Sequence, residues 1–287
     1  MSPSDRRSAN LVDLLTLAPD GEGRFRSPTI SCGSARAFGG QVVAQALVAA
    51  LSTVADRPAH SLHGHFLRAG DGGGEMLFEV EMLREGRSFS TRQVTALQDG
   101  RKLFIAIVSA QSEEEGLVHQ YPMPQVPSPD GLRSERDLRA EALATPGVAW
   151  AGPIAFDAPI ELRPVTPRDF VNPSKSAPVQ HFWVRPTVSI SRNPIMAQAV
   201  LAYISDMMLL STGLLPHGIY WSTTAMDSAS LDHTIWFHGQ PNFDDWTLWS
   251  LETPWTGGSR ALARGTFYDR TGRMIGSVAQ EGLLRLR

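Results

Sequence analysis

The sequence has almost no cysteine, since Cys32 is the single one among its 287 residues. One thiol excludes an intramolecular disulfide, and it excludes a zinc site built mainly from cysteines. A thiol nucleophile also needs a basic partner, and nothing near Cys32 in the sequence suggests one. We therefore expect an ordinary buried or half-buried thiol at this position.

The sequence also lacks an excess of charge of either sign. It has 26 lysines and arginines against 29 aspartates and glutamates, which leaves a formal net charge of −3. This balance gives no electrostatic reason to expect nucleic acid or an anionic membrane surface as a partner. We therefore expect no nucleic-acid partner.

Long hydrophobic runs are absent as well. A helix that spans a bilayer needs about 20 consecutive apolar residues, and no run in the chain reaches that length. The N-terminal residues do not lead into an apolar signal core. These observations predict a cytoplasmic protein that does not insert into a membrane.

The chain does have one stretch, Ile195–Leu210, that is apolar on nearly every side. Asn193 can cap its first backbone N–H groups and Pro194 suits the first helical position, so the stretch is predicted to be a helix. A helix without a polar face should be surrounded by other structure. Asp206 stands out in it, because desolvating an unpaired carboxylate is costly. Two interpretations stay open: Asp206 lies near the helix end and reaches solvent or a local cap, or it lies in a dry cleft to do chemistry.

A second apolar helix without a charge is predicted at Gln41–Leu51, and it points to a repeat. Each helix is followed by the same order of strand-like segments. The first of these begins at Ser61 in one half and at Ser230 in the other, 169 residues apart. The last ends in Ala-Gln, at Gln111 and Gln280, again 169 residues apart. Each half is therefore predicted to be one helix followed by an antiparallel meander.

The repeat sets the predicted domain organisation of an α+β protein. We place an N-terminal repeat at residues 9–112, a linker at 113–157 and a C-terminal repeat at 158–287. Closely spaced prolines from Pro122 onward make the linker extended, and Ser134 can cap a short helix within it. So long a connection would be unusual inside one compact unit, but it is expected between two packed copies.

Six motifs resemble those of the acyl-CoA thioesterase II family, in order and at family-like spacing from about residue 11 to the C-terminus. They are Phe38–Leu47 (FGGQVVAQAL), His63–Arg68 (HGHFLR), Arg84–Arg92 (REGRSFSTR), Tyr203–Asp206 (YISD), Leu231–His238 (LDHTIWFH) and Gln280–Gly282 (QEG). The resemblance implies a double hotdog fold, in which each of two copies wraps a curved antiparallel sheet around a long central helix.

Members of that family hydrolyse fatty acyl-CoA to a free fatty acid and CoA, without a metal, another cofactor or a covalent intermediate. The resemblance thus implies an acyl-CoA substrate and a role in lipid metabolism. The family's catalytic aspartate, its threonine or serine, and its glutamine correspond to Asp206, Ser230 and Gln280. The chemistry agrees, because a thioester carbonyl is electrophilic and needs only a well-placed water. Asp206 can accept the proton of that water while the other two side chains orient it.

Two further sets of residues are candidates for substrate contacts. Backbone N–H groups at a helix N-terminus carry partial positive charge, so Gly40 and Gln41 are candidates for stabilising the oxyanion. Alternatively, the glycine there only lets the helix start against a sheet. Arg68, Arg84 and Arg87 are the main candidates for binding the phosphates of CoA, and Arg92 is a further one. The alternative is that they are solvated arginines at strand edges.

Histidines alternate with other residues in two predicted strands, at His63 and His65 in one and at His233 and His238 in the other. Paired histidines on one strand face make a metal site conceivable, but the sequence offers no third ligand. We therefore expect no metal, and we expect these side chains to be satisfied in the core or in a cleft wall. Asp232 and His233 resemble an acid–base pair, yet neighbours on a strand face opposite ways.

Two other functions remain open beside a thioesterase. A hotdog hydratase or dehydratase acting on enoyl or hydroxyacyl thioesters needs a histidine on the same cleft wall as Asp206, and the chain after Asp206 has none before His217. A non-enzymatic acyl-CoA-binding protein would be expected to have lost one of the three catalytic residue types, and all three are present. Hotdog sheets commonly pair edge to edge, so by analogy we expect a homodimer or a larger homo-oligomer.

The positions in the first half that correspond to the catalytic set are Thr53, Ser61 and Gln111. They retain a hydroxyl and an amide, but threonine stands in place of the acid. We therefore expect one working site, in the second half, where the three side chains converge on a common water. The first half is expected to supply only a helix N-terminus or a cavity wall.

Overall fold

The computed structural model describes residues 10–29, 35–148, 159–190 and 193–287. Cys32 lies outside the described residues, and so do the predicted domain boundaries at 9, 157 and 158. Within these ranges the chain forms five α-helices, thirteen strands and a short 3₁₀ turn at Leu215–His217.

The helices are α1 (Leu11–Leu15), α2 (Gly39–Leu51), α3 (Glu135–Leu143), α4 (Pro194–Ser205) and α5 (Leu209–Thr212). The first-half strands are β1 (Ala18–Pro19), β2 (Arg24–Arg26), β3 (Ala59–Phe66), β4 (Leu77–Glu85), β5 (Phe89–Gln98) and β6 (Arg101–Gln111). The second-half strands are β7 (Ile160–Pro164), β8 (Val179–Pro186), β9 (Met226–Ser230), β10 (Asp232–Phe237), β11 (Thr247–Gly257), β12 (Arg260–Tyr268) and β13 (Met274–Leu286).

The strands form one continuous sheet that runs through both halves. Its order is β1-β2-β4-β5-β6-β3-β10-β13-β12-β11-β8-β7, and β9 pairs with β13 in addition. All of the pairings between these strands are antiparallel. The halves join where β3 pairs with β10, with His65 opposite Asp232 and Ser61 opposite Trp236. The predicted repeat therefore appears in both halves, each with its own long helix, and the halves are joined at one strand pair. The predicted meander is correct for the last three strands of each half only, because the strand after the helix, β3 or β10, pairs with the last strand, β6 or β13.

Helices α2 and α4 lie in the core because their surfaces are almost wholly apolar. In α2 every residue from Gly40 to Leu51 is buried, and in α4 every residue from Ala197 to Ser205 is buried. The one glutamine in the middle of α4 is satisfied by backbone. Gln198 accepts a hydrogen bond from the Ala59 N–H at 3.0 Å and donates one to the Ala59 carbonyl at 2.8 Å. Pairing both ends of the amide removes most of the cost of burying it.

The second central helix begins as predicted and ends earlier than predicted. The Asn193 side chain accepts from the Ile195 N–H at 2.9 Å, and Pro194 occupies the first turn. The helix was predicted to continue to Leu210, but α4 ends at Ser205, with Asp206 as its C-cap, and α5 starts only at Leu209. The Met207 N–H donates to the Ile204 carbonyl at 3.0 Å, which is the tighter spacing typical of a helix end. The break separates Asp206 from the following helix and frees its side chain to contact α2.

The stretch Pro194–His217 is long and apolar enough to cross a membrane by length and composition. However, 83% of its most apolar window is buried inside the protein, as expected for the core helix of a folded domain.

The linker between the halves runs along the second half. Ser134 caps α3 by accepting from the Asp137 N–H at 3.1 Å. A buried ion pair between Glu135 and Arg139, 2.9 Å long, lies under this helix. Upstream, the Trp183 indole donates to the Pro127 carbonyl at 2.8 Å and fixes the proline-rich part.

Candidate active site

Asp206 lies where the central helices of the two halves meet. It caps the C-terminus of α4, and it is only 8% exposed. The first turn of α2 lies against it, since the Gly40 N–H donates to its Oδ2 at 2.8 Å. The partial positive charge at a helix N-terminus favours an anion in this position. Of the two interpretations, the structure therefore excludes a carboxylate that simply reaches solvent.

The close approach of α2 to Asp206 depends on two glycines. A Cβ atom at Gly39 would lie 2.7 Å from Oδ2 of Asp206 and 3.1 Å from the ring of Phe66. A Cβ atom at Gly40 would lie 2.4 Å from the carbonyl oxygen of Tyr203. The shortest of these distances are well below the roughly 3.5 Å of a favourable contact, so neither position accepts a larger residue without movement.

Ser230 and Gln280 are brought to Asp206 by the pairing of β9 with β13. Ser230 ends β9 opposite Gly282, two residues beyond Gln280 on β13. The Ser230 hydroxyl donates to Oδ1 of Asp206 at 3.1 Å, and Nε2 of Gln280 donates to Oγ of Ser230 at 2.6 Å. The three side chains that the resemblance singled out are thus joined in one hydrogen-bonded row. Gln280 is 1% exposed, so it acts at the back of that row.

Burial dominates the electrostatics of Asp206. Desolvation raises the pKa of its carboxyl from 3.8 to about 6, although hydrogen bonds from Ser230, Gln280 and Gly40 favour the charged form and act in the opposite direction. A carboxylate with a pKa in this range is ionised at neutral pH and is more basic than an exposed aspartate. That is the property required of a general base.

The row faces a cavity of about 590 Å³. Asp206 and Ser230 line it, together with Gly39 from α2. Its apolar wall includes Phe38, Val42, Phe66, Leu103, Phe104 and Leu210, and its charged residues are Arg36, Arg68, Asp227 and Arg287. A cavity lined by both apolar and charged side chains fits a molecule that is part lipid and part charged.

The structure adds His233, for which the sequence predicts only a satisfied position in the core or in a cleft wall. Its Nδ1 lies 2.8 Å from Oε1 of Gln280 and 4.0 Å from Oδ1 of Asp206, and its Nε2 lies 2.8 Å from Oγ of Ser205. The ring is fully buried, which lowers its pKa to about 4. The alternation of β10 contained the signal, because His233 shares the buried face of the strand with Ile235 and Phe237. The search for a histidine near Asp206 had covered only the segment that follows it in the chain.

The two backbone groups proposed for the oxyanion already have acceptors. The Gly40 N–H donates to Asp206, and the Gln41 N–H donates to the Phe38 carbonyl at 3.1 Å. Within the described residues no acceptor is found for the N–H of Gly39, which lines the cavity. Gly39 was not among the residues named from the sequence.

The structure separates the three main arginine candidates for CoA. Arg68 lines the cavity, and its guanidinium donates to the Lys102 carbonyl at 3.0 Å. Arg84 and Arg87 are exposed around the turn between β4 and β5, and neither lines the cavity. Their position agrees with the alternative of solvated arginines at a strand edge.

The prediction that the histidines lie in the core or in a cleft wall is correct for one of them and wrong for three. His233 is buried, whereas His63, His65 and His238 are exposed on the sheet, so the expected burial in a core or cleft wall is wrong for these three. Among residues 10–29, 35–148, 159–190 and 193–287, no group of three or more histidine, cysteine, aspartate or glutamate side chains could hold a metal ion.

The corresponding positions in the first half do not form a similar row. The Thr53 hydroxyl accepts from Nε of Arg92 at 2.9 Å, and the Thr53 carbonyl accepts from Nη2 at 3.0 Å. Arg92 is 2% exposed and also binds Glu85 at 2.6 Å. In the part of the chain that the structure describes, no hydrogen bond joins Thr53 to Ser61 or Gln111.

Comparison with known proteins agrees with the site. The family described as acyl-CoA thioesterase matches residues 155–283, and the acyl-CoA thioesterase N-terminal domain matches residues 26–111. Human acyl-coenzyme A thioesterase 8 is 39% identical over 99% of this chain and 92% of its own. The chain belongs to the acyl-CoA thioesterase II family. Membership makes it a thioester hydrolase and confirms the recognition made from the six motifs.

Solved structures confirm the predicted double hotdog fold. The acyl-CoA thioesterase II TesB2 from Mycobacterium marinum superposes with a TM-score of 0.77 at 32% identity, over 96% of this chain and 97% of its own. The dehydratase domain of PpsC from Mycobacterium tuberculosis has a TM-score of 0.52 at 15% identity, over 95% of this chain and 98% of its own. The second likeness shows the fold alone, so the thioesterase reading depends on the family match and the site.

Proposed function

We propose that this acyl-CoA thioesterase hydrolyses fatty acyl-CoA by direct attack of a water that Asp206 activates. The observation that carries the proposal is the hydrogen-bonded row Asp206–Ser230–Gln280, whose first two members line a cavity with many apolar side chains. An acid, a hydroxyl and an amide from three separate elements have no packing reason to converge. A shared catalytic task supplies one.

The proposed step balances without a covalent enzyme intermediate. Asp206 takes one proton from the water while the oxygen attacks the thioester carbonyl carbon. When the tetrahedral intermediate collapses, the C–S bond breaks and the proton passes from Asp206 to the leaving sulfur. The products are the free fatty acid and CoA. Ser230 lines the cavity and can orient the water directly, whereas Gln280 lies behind it and acts by fixing Ser230.

The oxyanion of the intermediate needs donors near the start of α2. For Gly40 or Gln41 to serve, each would have to give up the acceptor that it has in the substrate-free structure. The N–H of Gly39 requires no such exchange, so we favour it for this role. Arg68 is the one of the three main arginine candidates placed to meet a CoA phosphate at the cavity.

The test is thiol release from a panel of acyl-CoAs of rising chain length. Asp206→Asn should retain the fold, shown by an unchanged circular dichroism spectrum, and lower turnover by roughly two or more powers of ten. Ser230→Ala should lower it by a smaller factor. Asn193→Ala, which removes a helix cap far from the row, is the control and should keep near-normal turnover. Near-normal turnover in Asp206→Asn would contradict the assignment of the base.

A hydratase or dehydratase is the second candidate, because His233 lies 4.0 Å from Asp206. That distance is suggestive, but the ring is fully buried, both of its nitrogens have hydrogen-bond partners, and it does not line the cavity. A group with these properties cannot exchange a proton with substrate. An assay of enoyl-CoA hydration, in which the loss of ultraviolet absorbance of the enoyl-CoA is monitored, tests for this activity. Binding of acyl-CoA without thiol release would instead indicate a non-enzymatic binding protein.

We further propose that the chain works in fatty acid metabolism as a cytoplasmic homo-oligomer. Its continuous sheet has edge strands that could pair with a second copy. Light scattering after size-exclusion chromatography measures the oligomeric state, and cell fractionation measures the location.

A further inference from the structure

The hydrogen bond from Ser230 to Asp206 depends on which end of the Gln280 amide faces Ser230. The two ends of a glutamine amide have nearly the same shape, but only the NH₂ end can donate. In the structure this end faces Ser230, at 2.6 Å, and the Ser230 hydroxyl then donates to Asp206. If the amide were turned, its oxygen would face Ser230, which would donate to Gln280 instead of to Asp206.

In this orientation of the amide, its oxygen faces the ring of His233. Its Nδ1 lies 2.8 Å from Oε1 of Gln280, which can only accept, so Nδ1 must carry the hydrogen. A neutral imidazole has one N–H, so Nε2 accepts in this arrangement, and Oγ of Ser205 lies 2.8 Å from it. The same Oγ also lies 2.8 Å from the Ala202 carbonyl, so this arrangement requires the single hydroxyl hydrogen of Ser205 to go to Nε2 instead of to that carbonyl. The ring is fully buried and is held between these two partners.

We propose, on the basis of the proposed thioesterase function, that His233 is a positioning residue whose Nδ1–H fixes the Gln280 amide so that every donor in the row points toward Asp206. The row then runs from Ser205 through His233, Gln280 and Ser230 to the carboxylate. His233 does not touch the substrate. It acts on Asp206 through Gln280, which donates to Ser230 and also favours the charged form of the carboxyl.

This role has a measurable consequence for the base. Without the Nδ1–H, the amide is free to turn and Asp206 loses a donor to its charged form, so its pKa rises. KM should change little, because His233 does not line the cavity. The titratable and charged groups around Asp206 are His233 on β10 and, along the cavity, Arg36, Arg68, Asp227 and Arg287. None of them is altered by the variants below except His233 itself.

The experiment compares two replacements of His233 in the full chain. His233→Asn places an amide N–H near the position of Nδ1 and can still donate to Gln280, whereas His233→Leu cannot. We expect His233→Leu to lower kcat by about tenfold or more, with KM nearly unchanged. We also expect the acidic limb of the pH profile, where kcat/KM rises as Asp206 loses its proton, to move to higher pH. His233→Asn should recover most of kcat and the original limb. His238→Leu is the matched control, because this histidine follows the same strand and binds a β13 serine, Ser277, at 2.9 Å.

Two further measurements separate positioning from general support of the fold. In a Gln280→Ala background, His233→Leu should cause no further loss of kcat, since its effect passes through the missing amide. The pKa of Asp206, followed by the ¹³C NMR shift of its carboxyl carbon, should rise in His233→Leu and not in His233→Asn. The NMR titration needs no substrate, so it tests the orientation even if thiol release fails.

The outcomes distinguish this inference from the proposed function. Absence of thiol release by the wild-type protein would overturn the thioesterase. An active wild type with an inactive Asp206→Asn variant, but with normal kcat and an unmoved limb in His233→Leu, would overturn only the role of His233. Equal losses in the leucine and asparagine variants, without a change in the pKa of Asp206, would also overturn it.

Discussion

At the scale of the residue, Asp206 is ionised at neutral pH in a position where burial works against its charge. Hydrogen bonds from Gly40 and Ser230 hold the carboxylate, yet desolvation outweighs them and the pKa rises to about 6. The sequence showed that a carboxylate in an apolar helix required an explanation. It could not show whether the carboxylate was buried, because that depends on which element covers the helix end.

The first prediction at this scale concerns the pH dependence of the reaction. If Asp206 is the base, kcat/KM should rise with pH up to about 6, where the carboxyl loses its proton, and level off above that value. His233 contributes no limb in this range, because its pKa is lowered to about 4. Initial rates of thiol release between pH 4.5 and pH 8 measure the limb. A limb near the ordinary aspartate pKa of 3.8 would contradict the burial argument.

The second prediction concerns stability. The folded-state pKa of Asp206 is raised above its unfolded value of 3.8, so its contribution to stability is present at low pH and is lost as the pH rises through about 6. Asparagine at this position stays neutral. The free energy of unfolding of Asp206→Asn minus that of wild type should therefore grow by roughly 2 kcal/mol between pH 4.5 and pH 8. Urea unfolding at both pH values measures it, and the shift of His233 cancels in the comparison. A constant difference would contradict the raised pKa.

At the scale of the element, the site depends on the ends of two helices. The start of α2 meets the end of α4, and the early end of α4 lets the Asp206 side chain turn toward Gly40. Composition and spacing predicted both helices and the start of α4, because Asn193 and Pro194 are local signals. The end of α4 was not predicted, because the residues from Met207 onward are as apolar as those before them. At the helix end, Asp206 contacts the other half through the Gly40 N–H.

The two glycines at the start of α2 should respond differently to alanine. The Cβ atom of Gly39→Ala would meet Oδ2 of Asp206 at 2.7 Å, and this carboxylate can rotate away. We expect a folded protein with a clearly lower kcat. The Cβ atom of Gly40→Ala would meet the Tyr203 backbone at 2.4 Å, which cannot move alone. We therefore expect lower thermal stability, of the size typical of overpacking, roughly 1–3 kcal/mol.

Thermal unfolding and thiol release on both glycine variants check this. Gly100→Val is not a suitable control, because Gly100 has a positive φ of 73°. Gly116→Ala is suitable, since no atom lies within 4 Å of the added Cβ position and no strained backbone is required. Unchanged turnover in Gly39→Ala would show that the carboxylate position is less constrained than the contact implies.

At the scale of the whole molecule, one sheet and one site are built from both repeats. The pairing of β3 with β10 makes the sheet continuous, and Gly40 of the first half contacts Asp206 of the second. The repeat could be predicted because matching residues recur at one spacing. Ser61 and Ser230 are 169 residues apart, and so are Gln111 and Gln280. The contribution of His233 could not, since a chain of four hydrogen bonds depends on which strand faces lie together. Sequence patterns therefore predict the elements, and the family resemblance points to Asp206, Ser230 and Gln280. Neither identifies His233 as a residue that acts from behind them.

The final prediction is that the first half cannot be given a site by restoring its acid. Thr53 corresponds to Asp206 in the repeat, but its hydroxyl and carbonyl both accept from the buried guanidinium of Arg92. An aspartate there would form an ion pair with Arg92, which lowers a carboxyl pKa and makes a poor base. Thr53→Asp added to Asp206→Asn should therefore leave thiol release at the level of Asp206→Asn alone. Thr53→Asp by itself is the control for folding and should keep wild-type turnover. Restored turnover in the double variant would show that the acid was the one missing part of the first half, and that the packing of Arg92 against Thr53 does not prevent catalysis.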